Sequence, residues 1–158
     1  MNGSARCQRT ITRAVSVTGC GYWSGRDVRV EFRPAAADAG VTFVRGDLAA
    51  APRIAATVDR RIDAPRRTVL ANDGAQVEMV EHILAALAGL EIDNCEVWVD
   101  AAEMPGCDGS SKAFVDALLT TEFVEQSAAC RVLHVDQTVR MGSDDCCTPA
   151  TKQFLPLA

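Results

Sequence analysis

The clearest helical pattern in the chain is Val80 to Leu90, where Val80, Ile83, Leu84, Leu87 and Leu90 recur at i, i+3, i+4, i+7 and i+10. That spacing lines one apolar stripe on a 3.6-residue turn and predicts a helix ending at Gly89 with its stripe in the core. Glu81 and His82 fall in its first turn, off the stripe and about 100° apart around the axis. His82 shares its face with Ala86 and Gly89, whose small side chains leave room below it.

Period-two patterns surround this helix. Arg9 to Thr18 reads as one strand with Ile11, Val15 and Val17 on one face. From Val28 the alternation is clean: Val28, Val30 and Phe32 face one way and Arg29, Glu31 and Arg33 the other, until Pro34 stops it. With Gly19, Gly21 and Gly25 between them, the two runs predict a hairpin with one wet face. Further strands are expected at Val41 to Val44, Ile54 to Val58, Thr68 to Leu70 and, after the turn signal Asn72-Asp73-Gly74, at Ala75 to Glu78. Beyond the helix, Cys95, Val97 and Val99 alternate with Glu96, Trp98 and Asp100 as another strand. Asp108 or Ser110 is placed to cap a second helix over Ser111 to Glu122, with Phe114, Val115, Leu118 and Leu119 inward. Arg131 to Val135 and Thr138 to Arg140 read as final strands, and after Met141 neither period continues.

Strands and helices therefore do not alternate strictly. The expected fold class is α+β, a two-layer sandwich of a mostly antiparallel or mixed sheet with two helices on one face. At 158 residues the chain has room for one domain with a real core. Its charge of -5, from 16 basic and 21 acidic residues, gives no general attraction to nucleic acid or anionic membrane. No apolar run approaches a membrane span, so no stable membrane insertion is expected. Seven cysteines at irregular spacing and an N-terminus without a signal-peptide pattern point to reduced thiols and a cytoplasmic location.

Several chemical signals fail on inspection. Gly19 to Gly25 resembles a dinucleotide loop only briefly: the third glycine is one residue late, and a strand pattern follows where a helix should start. The cysteines form no CxxC, and Cys146-Cys147 are adjacent, a poor arrangement for one tetrahedral ion. His134 sits alone in an apolar strand. That leaves Glu81-His82. An acid in a first turn complements the positive end of the helix dipole, and a histidine there can be a partly buried polar residue. The same pair also suits hydrolysis, with His82 binding a metal and Glu81 taking a proton from metal-bound water.

The stretch Val80-Glu81-His82-Ile83-Leu84-Ala85-Ala86-Leu87-Ala88-Gly89, followed by Ile92-Asp93-Asn94, resembles the signature of the bacterial UDP-3-O-acyl-N-acetylglucosamine deacetylases, zinc enzymes of lipid A synthesis. Gln8-Arg9-Thr10 through Thr18-Gly19, Gly21 and Ser24-Gly25 is similar to that family's opening hairpin. Arg33-Pro34-Ala35 resembles the end of its second strand, and Glu103-Met104-Pro105 with Asp108-Gly109-Ser110 and Phe114 a later loop and helix. The resemblance runs in order from about Gln8 to Arg140. It implies one of two similar α+β domains, Glu81 as general base, His82 as one zinc ligand, and a UDP-linked acylated amino sugar as substrate. The family's remaining zinc ligands and general acid lie in its second domain.

Two positions depart from the family: Trp23 stands where it has a histidine, and Met79 where it commonly has a threonine that caps the helix, a role left to Glu78. The resemblance thus divides the chain into an N-terminal deacetylase-like domain over 1–140 and an irregular tail over 141–158, as in a truncated or frame-shifted reading. An inactive half-enzyme, binding or self-associating through the helical face that the missing second domain would cover, is the alternative function.

Overall fold

The computed structural model describes residues 6–133 and the short strand pieces at 140–141, 148–149 and 155–156. Its centre is a five-stranded sheet of β2 (Val15–Cys20), β3 (Asp27–Pro34), β9 (Cys95–Val99), β4 (Val41–Arg45) and β5 (Arg53–Ala55), in that order. β9 is antiparallel to β3 and parallel to β4, so the sheet is mixed. β6 (Arg61–Ile62), β7 (Val69–Asn72) and β8 (Ala75–Glu78) form a small meander, and β1 (Cys7–Ile11) pairs with β10 (Phe123–Ala129). Two helices, α1 (Glu81–Gly89) and α2 (Lys112–Leu118), pack together on one face.

Alternation explains the layering. In register across the sheet, Val30 opposes Val99, Phe32 opposes Val97, and Val97 lies beside Phe43, so every inward position is apolar. These side chains meet Ile83 and Leu87 of α1 and Phe114 and Leu118 of α2 in one core, with Phe32 and Phe114 edge to face at 6.2 Å. Each such side chain, fully buried, contributes about 1.5–3 kcal/mol. The opposite face is wet, as the Arg29, Glu31, Arg33 pattern predicts. Glu31 bridges both arginines, and the Arg33 guanidinium lies 4.0 Å over the Trp98 ring.

Four sequence expectations are corrected. Arg9 to Thr18 is not one strand: the chain breaks after Ile11, where Thr12 N–H donates to Glu122 O at 2.9 Å, and β1 leaves to pair with β10. Ile11, Val15 and Val17 share parity across that break, and all reach the core, which hides it. The second helix ends at Leu118 rather than Glu122, leaving Leu119 59% exposed, and the segment that follows is β10. Ile54 to Val58 shortens to β5 and then a single helical turn at Val58–Arg60. Glu78 does not cap α1, because its carboxylate is held by Gln76 and Arg67. The N-cap of α2 is Ser111, which makes no side-chain cap hydrogen bond; the hydroxyl of Ser110 before it accepts the Lys112 N–H at 3.0 Å.

His134, Cys146, Cys147 and most of the 141–158 tail lie outside the described residues. Within the described part, no helix is long and apolar enough to cross a membrane.

Candidate functional site

β8 delivers the chain to α1 through a sharp corner. Met79 takes φ +60°, a left-handed conformation costly for a residue with a side chain, and Val80 is fully buried as the first anchor of the apolar stripe. Thr68, next to β7, holds this corner with both of its backbone groups. Its carbonyl accepts Met79 N–H at 2.9 Å, and its N–H donates to Glu81 Oε2 at 3.2 Å. Glu81 and His82 are both half-buried at the head of α1, above Ile83, Ala86 and Leu87, which are buried. Among the described residues, Glu81 has no cationic partner and its Oε1 no hydrogen bond, and the His82 ring has none.

The far end of the helix is fastened by the Ile92-Asp93-Asn94 turn. Asp93 and Asn94 N–H both donate to Arg9 O, at 2.9 and 3.1 Å. The Asp93 carboxylate takes a two-pronged contact from Arg6, at 2.7 and 2.9 Å, and the Arg9 N–H at 2.8 Å. Burial pushes the Asp93 carboxyl up, but the Arg6 guanidinium, the Arg9 N–H and the Cys130 thiol outweigh it and hold it below the usual carboxylate range. Asn94, buried, donates to Gln8 and Gln126 and accepts Gly40 N–H. These residues build; they do not react.

A second element reaches the same corner. The segment at Ala102 to Met104 runs beside β8, with Glu78 N–H donating to Ala102 O at 2.8 Å and Met104 N–H to Glu78 O at 3.0 Å. It carries Glu103, only 6% exposed, whose two oxygens accept Trp23 N–H at 2.6 Å and Ser24 N–H at 2.9 Å. Burial raises the Glu103 pKa, yet the Ser24 hydroxyl and the backbone N–H groups of Trp23, Ser24 and Tyr22 together hold it below its ordinary value. The carboxylate thus anchors the β2–β3 turn. Gly21 is required there, since a Cβ would come within 2.6 Å of Glu103 Oε2 and 2.3 Å of Ser24 Oγ.

The anchored turn exposes Tyr22 and Trp23, ring centroids 5.1 Å apart and edge to face. Arg67, the residue before Thr68, places its guanidinium 5.7 Å from the Trp23 ring centroid. Its Nε lies 2.8 Å from Glu78 Oε2, an electrostatic contact only: the N–H is turned off the carboxylate, and this buried nitrogen has no hydrogen-bond partner. From Trp23 through Arg67 and Thr68 to Glu81 there is one continuous path of contacts. Glu81 and His82, the candidates read from the sequence, stand side by side at the head of α1; the contacts of Glu103 and Arg67 were not foreseen, because they exist only once distant segments meet.

Among the described residues no three His, Cys, Asp or Glu side chains cluster to hold a metal ion. His82 is a suitable nitrogen donor for zinc, but it is one donor where a catalytic zinc takes three.

Residues 8–156 match the family described as LpxC: UDP-3-O-acyl N-acetylglycosamine deacetylase. The chain is 44% identical over 138 residues to a UDP-3-O-acyl-N-acetylglucosamine deacetylase of Anaeromyxobacter sp., covering 87% of this chain and 45% of that protein. It is 41% identical over 138 residues to the same-named protein of Psychrobacter cryohalolentis, covering 87% and 43%. With the bifunctional enzyme LpxC/FabZ of Chlorobaculum tepidum it shares 39% over 132 residues, 84% of this chain and 28% of that one. The chain spans less than half the length of each of these relatives.

Proposed function

The chain belongs to the UDP-3-O-acyl N-acetylglycosamine deacetylase family, and from that premise we propose that it is the catalytic-base half of a zinc-dependent amide hydrolase. The substrate is a UDP-linked acylated amino sugar of the lipid A route, which loses its N-acetyl group as acetate and is left with a free amine. Residues 1–140 form the N-terminal domain, and a second domain supplies what this one lacks.

The observation that supports this most directly is the state of Glu81. It is half-buried and free of any cationic partner among the described residues, and only Oε2 is engaged, by a neutral backbone N–H. A carboxylate so held is oriented without being neutralised, and Oε1 remains open to take a proton from a water molecule in front of the helix. His82, the next residue, turns its imidazole about 100° away around the axis and offers one nitrogen to the metal. When bound, zinc lowers the pKa of its water to about 7 and polarises the amide carbonyl. On the family resemblance, the other two donors belong to a second domain.

Adding the second half of a relative such as the Anaeromyxobacter protein, made as a separate polypeptide, tests the reading. Zinc-dependent acetate release by the mixture, absent from either part, is expected. A mixture that binds zinc and releases no acetate overturns it. A binding or self-association role is the alternative reading, favoured by Leu119 at the end of α2 standing 59% exposed and by the exposed Ala85 and Ala88 of α1. A sharp symmetric dimer on gel filtration together with an inactive mixture decides for that role.

A further inference from the structure

The two edges of the five-stranded sheet, β2 and β5, are finished differently. β5 is three residues long, follows Pro52, and gives its Arg53 carbonyl to the Asn72 amide of the meander at 3.0 Å. β2 runs for six residues in unbroken register with β3 and carries no proline, charge or bulge, the usual guards of an open edge. Which of its main-chain groups face outward follows from its neighbours. Arg29 turns its N–H to the Asp100 carboxylate and its carbonyl to the Asp100 N–H, on the β9 side, so Thr18, opposite Arg29 in the β2–β3 ladder, turns its own groups away from β3. By the same alternation Ser16 and Cys20 face outward, and Cys20 O accepts the Gly106 N–H at 2.9 Å. Ser16 and Thr18 are exposed, and among the described residues no hydrogen bond outside the ladder reaches the N–H or carbonyl of either.

We propose that this edge is an interface for a second copy of the chain, joined β2 to β2 in an antiparallel register centred on Val17. Self-pairing needs outward-facing residues opposite outward-facing residues. Ser16 opposite its own copy would draw on Ala14, which lies outside β2, and Thr18 opposite its own copy would draw on Cys20, whose carbonyl is already taken. Ser16 opposite Thr18 uses the open groups alone, and by two-fold symmetry does so twice, for four main-chain hydrogen bonds. The length of the slot fits the same occupant. The segment at Pro105 and Gly106 lies antiparallel beside Gly21 and Cys20 and obstructs a longer strand, but β2 of a second copy begins at Val15, opposite Gly19, and stops short of it. Val17, packed against the core, meets its own copy in a non-hydrogen-bonded pair with Cα atoms about 4.5 Å apart, while serine and threonine hydroxyls meet on the wet face. The interface uses neither Glu81 nor Leu119, so it stands apart from the deacetylase reading and from association through the helices.

Sedimentation equilibrium of the full chain is expected to show a concentration-dependent dimer. Thr18→Pro removes one outward N–H from each copy and no bond of the β2–β3 ladder, and should weaken the dimer about tenfold or more at unchanged melting temperature. Should that variant fail to fold, Ser16→Lys, at an exposed position, takes its place and should weaken the dimer likewise. Oxidised glutathione should cross-link Val17→Cys chains through a disulfide, leaving as reduced glutathione, well above the level set by the native exposed cysteines of the parent. Thr18→Cys, two residues along the strand from its own copy, should stay at the parent level. Leu119→Glu, at the end of α2, should leave the dimer intact. The proposal is overturned by a chain that stays monomeric up to about 1 mM, by a dimer indifferent to the edge substitution, by one that Leu119→Glu dissolves, or by equal cross-linking of Val17→Cys and Thr18→Cys.

Discussion

The Thr68 N–H donates to Glu81 Oε2 at 3.2 Å, which ties the candidate base to the strand beside its helix rather than to a cation. A longer contact of this kind orients the side chain without binding its charge tightly. Replacing Glu81 by Gln keeps the shape and an acceptor for Thr68 while removing the basic oxygen. In the two-domain mixture, Glu81→Gln is expected to lower kcat by about 10²- to 10⁴-fold with zinc content and melting temperature unchanged. An equal loss in Thr68→Ala, whose backbone N–H is intact, would instead point to the threonine side chain.

Metal content gives a separate expectation. One imidazole does not hold zinc usefully against water where a catalytic site takes three ligands. The chain alone is expected to carry well under one equivalent after dialysis, by atomic absorption, and His82→Ala to make no difference. In the two-domain mixture the same substitution should reduce zinc retention. A full tight equivalent on the chain alone would refute the assignment of His82 as a lone donor.

Glu103 sets a pH dependence. Its folded pKa lies below the ordinary 4.5, so the unfolded state binds the proton more readily. The stabilisation is complete above the unfolded value and is lost as pH falls through the lower folded one. Urea unfolding of the parent should therefore show a loss of stability below about pH 4.5 that is smaller in Glu103→Gln. At neutral pH that variant should be less stable by about 2 kcal/mol, because its amide keeps one acceptor oxygen: one of the two charge-assisted hydrogen bonds becomes neutral and the other turn N–H faces an NH2 group and loses its acceptor. Asp93, held low by Arg6 and Arg9, contributes in the same direction.

Gly21 should tolerate no side chain. With a Cβ falling 2.3 Å from Ser24 Oγ, Gly21→Ala forces the turn off Glu103, at a cost of about 1–3 kcal/mol. Thermal unfolding measures this, and a melting point equal to the parent would show that the turn moves freely.

Thiol reactivity reads the packing of the sheet. Cys95 is fully buried at the start of β9, and burial pushes its pKa up to about 12. Of the five described cysteines, the exposed Cys7, Cys20 and Cys107 should react with an aromatic disulfide reagent in the native protein, and Cys95 only as the protein unfolds. Mass mapping of the labelled peptides checks the order.

Much of the fold was legible wherever one face is wholly buried. Val28, Val30 and Phe32 against Arg29, Glu31 and Arg33 predict β3, its register face and its wet side, and the Val80 to Leu90 stripe predicts α1 and its end at Gly89. Legibility fails where burial is partial or where two segments share parity. β10 is half-exposed along most of its length, so Phe123 to Ala129 shows no alternation to find. The Ile11 to Val17 pattern continues unbroken through a real break. The candidate pair was readable because both members are adjacent in sequence. The Glu103 anchor was not, because its two contacts are some eighty residues away.

β9 sits at the middle of the five-stranded sheet, between β3 and β4, although it is the last of the five to be synthesised. Until Val99 has left the ribosome, the growing polypeptide holds two half-sheets with bare edges and an α1 that has nothing complete to lie on. Premature termination anywhere upstream therefore strips the keystone from the arch, and such stubs should be cleared by proteases or aggregate. The Thr68 contacts at the head of α1 lie upstream of this insertion, but the helix has a whole sheet to lie on only once β9 is in place.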